Sequence, residues 1–228
     1  MTKAIKKRVV KKAVLKEEAV KNVFISIGDV LREKKKIFTF AVVALIAIII
    51  FFIAFLLYQD SQKKKAHALE QEAYKYYYAL DIKTPLSHEE RLKKALELYT
   101  QALKIKSTPL AQFYLGNCYY QLGDYASAIK AYTAFLDKYH REKILTPLVF
   151  QQLAASYSRA GKPDEALKAL EKLGQFNKGI FKDTALIKKA RLYEAIGKSD
   201  EAKKKYKELI TNFPESIWAP EARAKIED

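Results

Sequence analysis

A single cysteine, Cys118, stands in the whole chain, so no disulfide can form within it and cysteine usage says nothing about the redox compartment. Glycine and proline are scarce as well. Seven and six are spread over 228 residues, and no Pro/Gly/Ser-rich stretch exists to serve as a flexible linker or as a series of tight β-turns. Both scarcities favour helix throughout. The three histidines, His67, His88 and His140, lie more than twenty residues apart without Cys, His or Asp/Glu partners at ligand spacing, so no metal ion is expected. The chain also lacks a glycine-rich phosphate loop, a G-x-S-x-G elbow and an H-E-x-x-H pair. No histidine lies close to Cys118, which sits between Asn117 and Tyr119 and reads as a buried structural thiol. The sequence therefore predicts no enzyme, no catalytic residue, no cofactor and no small-molecule substrate.

What is abundant is positive charge and apolar surface. Lys and Arg number 42 against 26 Asp and Glu, a formal net charge of +16. Residues 1–36 hold twelve basic residues against four acidic ones, so half of that excess sits in a sixth of the chain. Beyond the tail the lysines are spread along helical segments and the aromatics follow a packing register, so nucleic acid is not an expected ligand.

Between the basic clusters Lys34–Lys36 and Lys63–Lys65 runs IFTFAVVALIAIIIFFIAFLLY, residues 37–58, without one charge. At a rise of about 1.5 Å per residue, such a helix spans roughly 33 Å, enough to cross a hydrocarbon core of about 30 Å. A transmembrane anchor is expected there. A cleaved signal peptide is the rival reading, because Ala66, His67 and Ala68 form an A-x-A pattern, but the run is long for a signal h-region and three lysines separate the two. Translocating a tail with so many basic residues is unfavourable, which predicts a cytoplasmic N-terminus and a C-terminal domain outside. In the tail, Val20, Val23, Phe24, Ile27 and Leu31 recur at helical spacing. This fits an amphipathic helix on the inner leaflet, a helix docked on a partner, or a basic arm without structure.

The remainder repeats itself. LGNCYYQLGDYASAIKAY from Leu115, LAASYSRAGKPDEALKAL from Leu153 and KARLYEAIGKSDEAKKKY from Lys189 align by residue type. A small residue (Gly116, Ala154, Ala190) is followed by Tyr119, Tyr157 and Tyr193, then by Gly123, Gly161 and Gly197. Ala128, Ala166 and Ala202 come next, and Tyr132, Leu170 and Tyr206 close the pattern. The small residue lets a first helix approach its partner, the glycine takes the left-handed turn, and the alanine with the large residue forms the inner stripe of a second helix. Asp124, Asp164 and Asp200 fall where a helix start favours an acidic or capping side chain.

This pattern resembles the tetratricopeptide repeat family over residues 67–228, in about four units. The first is degenerate, with its second helix in RLKKALELYTQAL and no glycine turn, and SIWAPEARAKIED reads as a capping helix. The resemblance implies an all-α fold, with a single transmembrane helix followed by an α-solenoid of helix-turn-helix repeats. The expected organisation is a basic cytoplasmic tail at 1–36, the span at 37–58, a juxtamembrane linker at 59–66 and the repeats at 67–228. The whole layout also resembles the single-span ancillary subunits of the bacterial SecYEG translocon. That likeness implies a protein-interaction scaffold in the bacterial inner membrane, its repeats periplasmic, with the translocon and periplasmic chaperones or clients as partners. A scaffold for outer-membrane assembly or for cell division is the alternative.

By register, the concave groove should be lined by Phe113, Asn117, Tyr120, Gln151, Ser158, Arg191 and Glu194. Such a mixture suits a segment of another protein. The carboxylate clamp of chaperone-binding family members gathers several basic residues. Here only Asn117 and Lys188 fall at matching places, with Phe113 and Thr184 where basic residues belong, so a C-terminal carboxylate is not the expected ligand.

Overall fold

The computed structural model describes residues 2–81 and 85–227, with side chains from residue 32 onward. Among the described residues the structure is helical without a strand. Helix α1 spans Thr2–Tyr78, α2 His88–Ile105, α3 Pro109–Gln121, α4 Tyr125–Tyr139 and α5 Leu145–Arg159. Then come α6 Pro163–Gln175, a 3-10 turn at Phe176–Gly179, α7 Lys182–Ala195, α8 Ser199–Asn212 and α9 Ala219–Glu227. The chain divides into two compact units, Met1–Asp60 and Ser61–Asp228.

In the first unit, the uncharged stretch 37–58 is helical and its large apolar side chains are exposed. It lies in a helix long and apolar enough to cross a membrane, and none of its most apolar window is buried. Its one internal polar side chain is satisfied locally: the Thr39 hydroxyl donates to the Lys35 carbonyl at 2.7 Å. Residues 59–66 are helical within α1. The apolar stripe expected over Val20–Leu31 lies outside the residues whose side chains are described.

The second unit is built of hairpins whose ends the sequence dictates. Ser87 opens α2 with a capping box, accepting from the Glu90 amide while Glu90 accepts from the Ser87 amide. Thr108 caps α3 just before Pro109, and Asp124 caps α4 through the Ser127 amide. Asp164 and Asp200 sit two positions further in, within the first turns of α6 and α8.

The glycine turns end α3, α5 and α7 alike. Gly123, Gly161 and Gly197 have φ of 80°, 71° and 75°. Each glycine amide bonds two residues behind the cap, and the next amide bonds the carbonyl of Tyr119, Tyr157 or Tyr193 at 2.8–3.0 Å. This is the Schellman motif, so the recurring tyrosine lies at the position whose carbonyl the turn satisfies. The first hairpin makes the same turn without glycine. Ala79 takes φ 58°, and the Leu80 amide bonds the Lys75 carbonyl at 2.9 Å. The turn geometry is thus common to all four hairpins.

From α2 onward packing runs along the helix order, each helix against the next, with α3 also reaching α5. Three apolar clusters result. The first joins Ala73, Ala95, Leu98, Tyr99, Ala111 and Cys118. The middle one gathers α3–α7 around Tyr132, Phe135, Val149, Leu170 and Leu173, and the last joins Leu186, Ile187, Ala190, Tyr206 and Leu209 to Ala219 and Ala222 of α9. Helix α7 belongs to two of these clusters, giving Leu192 to the middle one and Leu186, Ile187 and Ala190 to the last. At Gly116 the packing leaves no room at all, since a Cβ there would overlap the Tyr132 ring.

Two substitution classes follow from this geometry. Gly116→Ala and Ala166→Leu should overpack the hairpins, each lowering stability by about 1–3 kcal/mol in circular-dichroism melts, while Gln151→Ala should change it by less than about 0.5 kcal/mol. Ala79→Gly should stabilise the protein by about 1 kcal/mol, because it removes the left-handed strain that a Cβ imposes.

Candidate functional site

Along α5, residues 151, 154, 155 and 158 follow helical spacing and fall on one face; along α7, residues 188, 191, 192 and 195 do the same. These two faces meet. Gln151, Ala154, Ala155 and Ser158 oppose Lys188, Arg191, Leu192 and Ala195 across a cleft of about 240 Å³, with Leu170 of α6 as part of its floor. Its lining combines small and apolar side chains, Ala154, Ala155, Leu170, Leu192 and Ala195, with the polar Gln151, Ser158, Lys188 and Arg191.

Its electrostatics are one-sided. Arg191 is held by Glu221 of α9 through two hydrogen bonds, one at 2.8 Å from Nε, and lies 5.1 Å from the Trp218 ring centre. The pair keeps Arg191 charged and lowers the pKa of Glu221. Lys188 is half-buried beside it and, among the described residues, makes no ion pair. Burial, with the Arg191 charge added, lowers its pKa. A polar or acidic group entering the cleft would therefore meet a lysine without a counter-charge.

Three of the sequence-derived groove residues, Gln151, Ser158 and Arg191, line this cleft. The others sit elsewhere. Phe113 is only 7 % exposed, packed against Tyr114 and Tyr132, and Asn117 accepts a hydrogen bond from the Tyr132 hydroxyl at 2.6 Å. Tyr120 is half-buried, edge-on to Tyr125. Glu194 is occupied by the Tyr206 hydroxyl at 2.9 Å and by Lys225 at 3.1 Å. Lys188, Ala155 and Ala195 were outside the sequence-derived set, although each lies three or four residues from one of its members, the spacing that a helical face requires.

Comparison with known proteins adds the family. The profile described as tetratricopeptide repeat-like domain matches residues 35–228. The chain belongs to this family. Solved structures share the tetratricopeptide fold at low identity. A crystal structure of MamA is 20% identical, covering 68% of this chain and 83% of that one, with a TM-score of 0.51. A tetratricopeptide repeat protein from Parabacteroides merdae is 20% identical over 72% of this chain and 59% of its own, with a TM-score of 0.54. PilW, described as a widely conserved type IV pilus biogenesis factor, is 17% identical over 72% and 66%, with a TM-score of 0.53. Tetratricopeptide repeats serve as protein–protein interaction scaffolds, and that is the role of this domain, not catalysis.

The lone thiol agrees with a scaffold. Cys118 is fully buried, and burial pushes its pKa up to about 12. A disulfide-exchange reagent at mildly alkaline pH should leave it unmodified in the native protein and titrate it completely in denaturant. Fast labelling of the native protein would show that α3 does not pack as described.

Proposed function

We propose that the protein is a single-span scaffold of the bacterial cell envelope, anchored through residues 37–58, that holds a segment of a partner protein in the α5–α7 cleft. The cleft carries this reading. Its apolar floor and half-buried, unpaired Lys188 fit an amphipathic peptide with a carbonyl or carboxylate to offer, whereas a small metabolite would find few convergent groups. Supporting the anchor, the family match begins at residue 35 and so takes in the apolar stretch together with the repeats. The basic tail supports a cytoplasmic N-terminus with the repeats outside. The layout further favours a place beside the protein-translocation machinery, among emerging envelope proteins and their chaperones.

Two experiments test this. Protease added to spheroplasts should digest the repeats and spare residues 1–36, and protection of the repeats would put them on the cytoplasmic side. Affinity purification from detergent-solubilised membranes should recover translocon components. Ala155→Trp, which fills the cleft, and Lys188→Glu, which reverses its charge, should each weaken capture by more than about 1 kcal/mol, or roughly fivefold. Capture unaffected by both would move the binding surface elsewhere.

A further inference from the structure

Of the residues that line the α5–α7 cleft, Lys188 and Arg191 carry charge, and both are basic. No acid is among them. The Arg191 charge is met from outside the cleft, where Nε and Nη2 both donate to the Glu221 carboxylate of α9. Lys189, the next residue along from Lys188, is matched by Glu171 of α6. The acids of α7 itself are engaged elsewhere: Asp183 accepts from Thr184 and Ser216, and Glu194 from the Tyr206 hydroxyl and Lys225. The cleft therefore presents one uncompensated positive charge, that of the half-buried Lys188.

Size limits what can meet it. The space is about 240 Å³, below the roughly 300–1,000 Å³ of sites that enclose a whole small ligand, so it takes one or two side chains of a longer segment. Burial, with Arg191 beside it, disfavours the charged form of Lys188, and a single carboxylate at hydrogen-bond distance would restore it. A second negative charge, or a phosphoryl group, would give up its water and find no further free cation. A chain-terminal carboxylate is poorly served too. It needs several donors gathered around it, and Asn117, the other residue at a matching register position, is buried and accepts from the Tyr132 hydroxyl.

We infer that the cleft selects a partner segment carrying a single aspartate or glutamate side chain between small or apolar residues, with Lys188 as the group that pairs it. The inference rests on the reading of the cleft as a peptide site and names what that peptide must offer. Glu221 sets the count at one. It acts through Arg191 and touches no guest, but its loss would free a second cation and move the selection to segments with two acids.

The full chain in detergent micelles, immobilised, would be offered pools of synthetic decapeptides with both termini capped, random in alanine, serine, leucine and glutamine. The pools would differ in one feature each: no charge, one Glu, two Glu, one Arg, or no charge and a free C-terminal carboxylate. Retention would be read by mass spectrometry and folding of every variant by circular dichroism. The one-Glu pool should be retained about tenfold above the uncharged and one-Arg pools, near the lower end for a hydrogen bond to a charged group. Lys188→Met should remove that preference, Lys188→Glu should transfer it to the one-Arg pool, and Glu221→Gln should transfer it to the two-Glu pool. Equal retention of the uncharged and one-Glu pools, lost in Ala155→Trp, overturns the inference and leaves the cleft as a peptide site. Preference of the wild type for two Glu or for the free carboxylate overturns it as well, and an unchanged one-Glu preference in Glu221→Gln overturns the role given to Glu221. One-Glu retention that survives Ala155→Trp, or retention of no pool, overturns the inference and the cleft reading together.

Discussion

The repeats depend on one close approach, that of a first helix stripped of side chain to a second helix presenting a ring or a leucine. Gly116 against Tyr132 is the tightest case, where not even a methyl group would fit. Ala154 with Leu170 and Ala190 with Tyr206 repeat it in the middle and last clusters. Because interiors pack at crystal density, this contact sets the separation within each hairpin, and the next hairpin must then lay its own first helix alongside. The α5–α7 cleft results from that stacking, wherever the facing side chains are alanines.

The sequence made the repeat unit legible because the features that recur are those that act within one hairpin. The small residue, the tyrosine, the glycine and the inner alanine could be read from spacing alone. The left-handed turn appeared in the structure at Gly123, Gly161 and Gly197. Ala79 shows the limit of such reading, since a non-glycine residue takes the same backbone and leaves no mark in the composition.

The groove was less legible. One register position holds Phe113 and Gln151 in successive repeats, yet Phe113 is enclosed by Tyr114 and Tyr132 while Gln151 faces the cleft. Exposure there is decided by the neighbouring repeat, which the spacing within a single unit does not contain. Glu194 and Arg191 likewise have partners on α8 and α9, Tyr206 and Glu221, that come from distant turns of chain. Arg191 serves the cleft and the terminal helix at once.

The division of α7 between two apolar clusters has a mechanical meaning. The segment from α8 onward is attached to the rest of the solenoid chiefly through this one helix, so it is the portion that can peel away while the middle cluster stays intact. A guest in the cleft would touch α5 on one side and α7 on the other, and would reach the terminal segment through Arg191, whose carboxylate partner Glu221 lies on α9. Occupancy and the integrity of the C-terminal end would then rise and fall together, and an empty scaffold would be the one most readily trimmed by proteases.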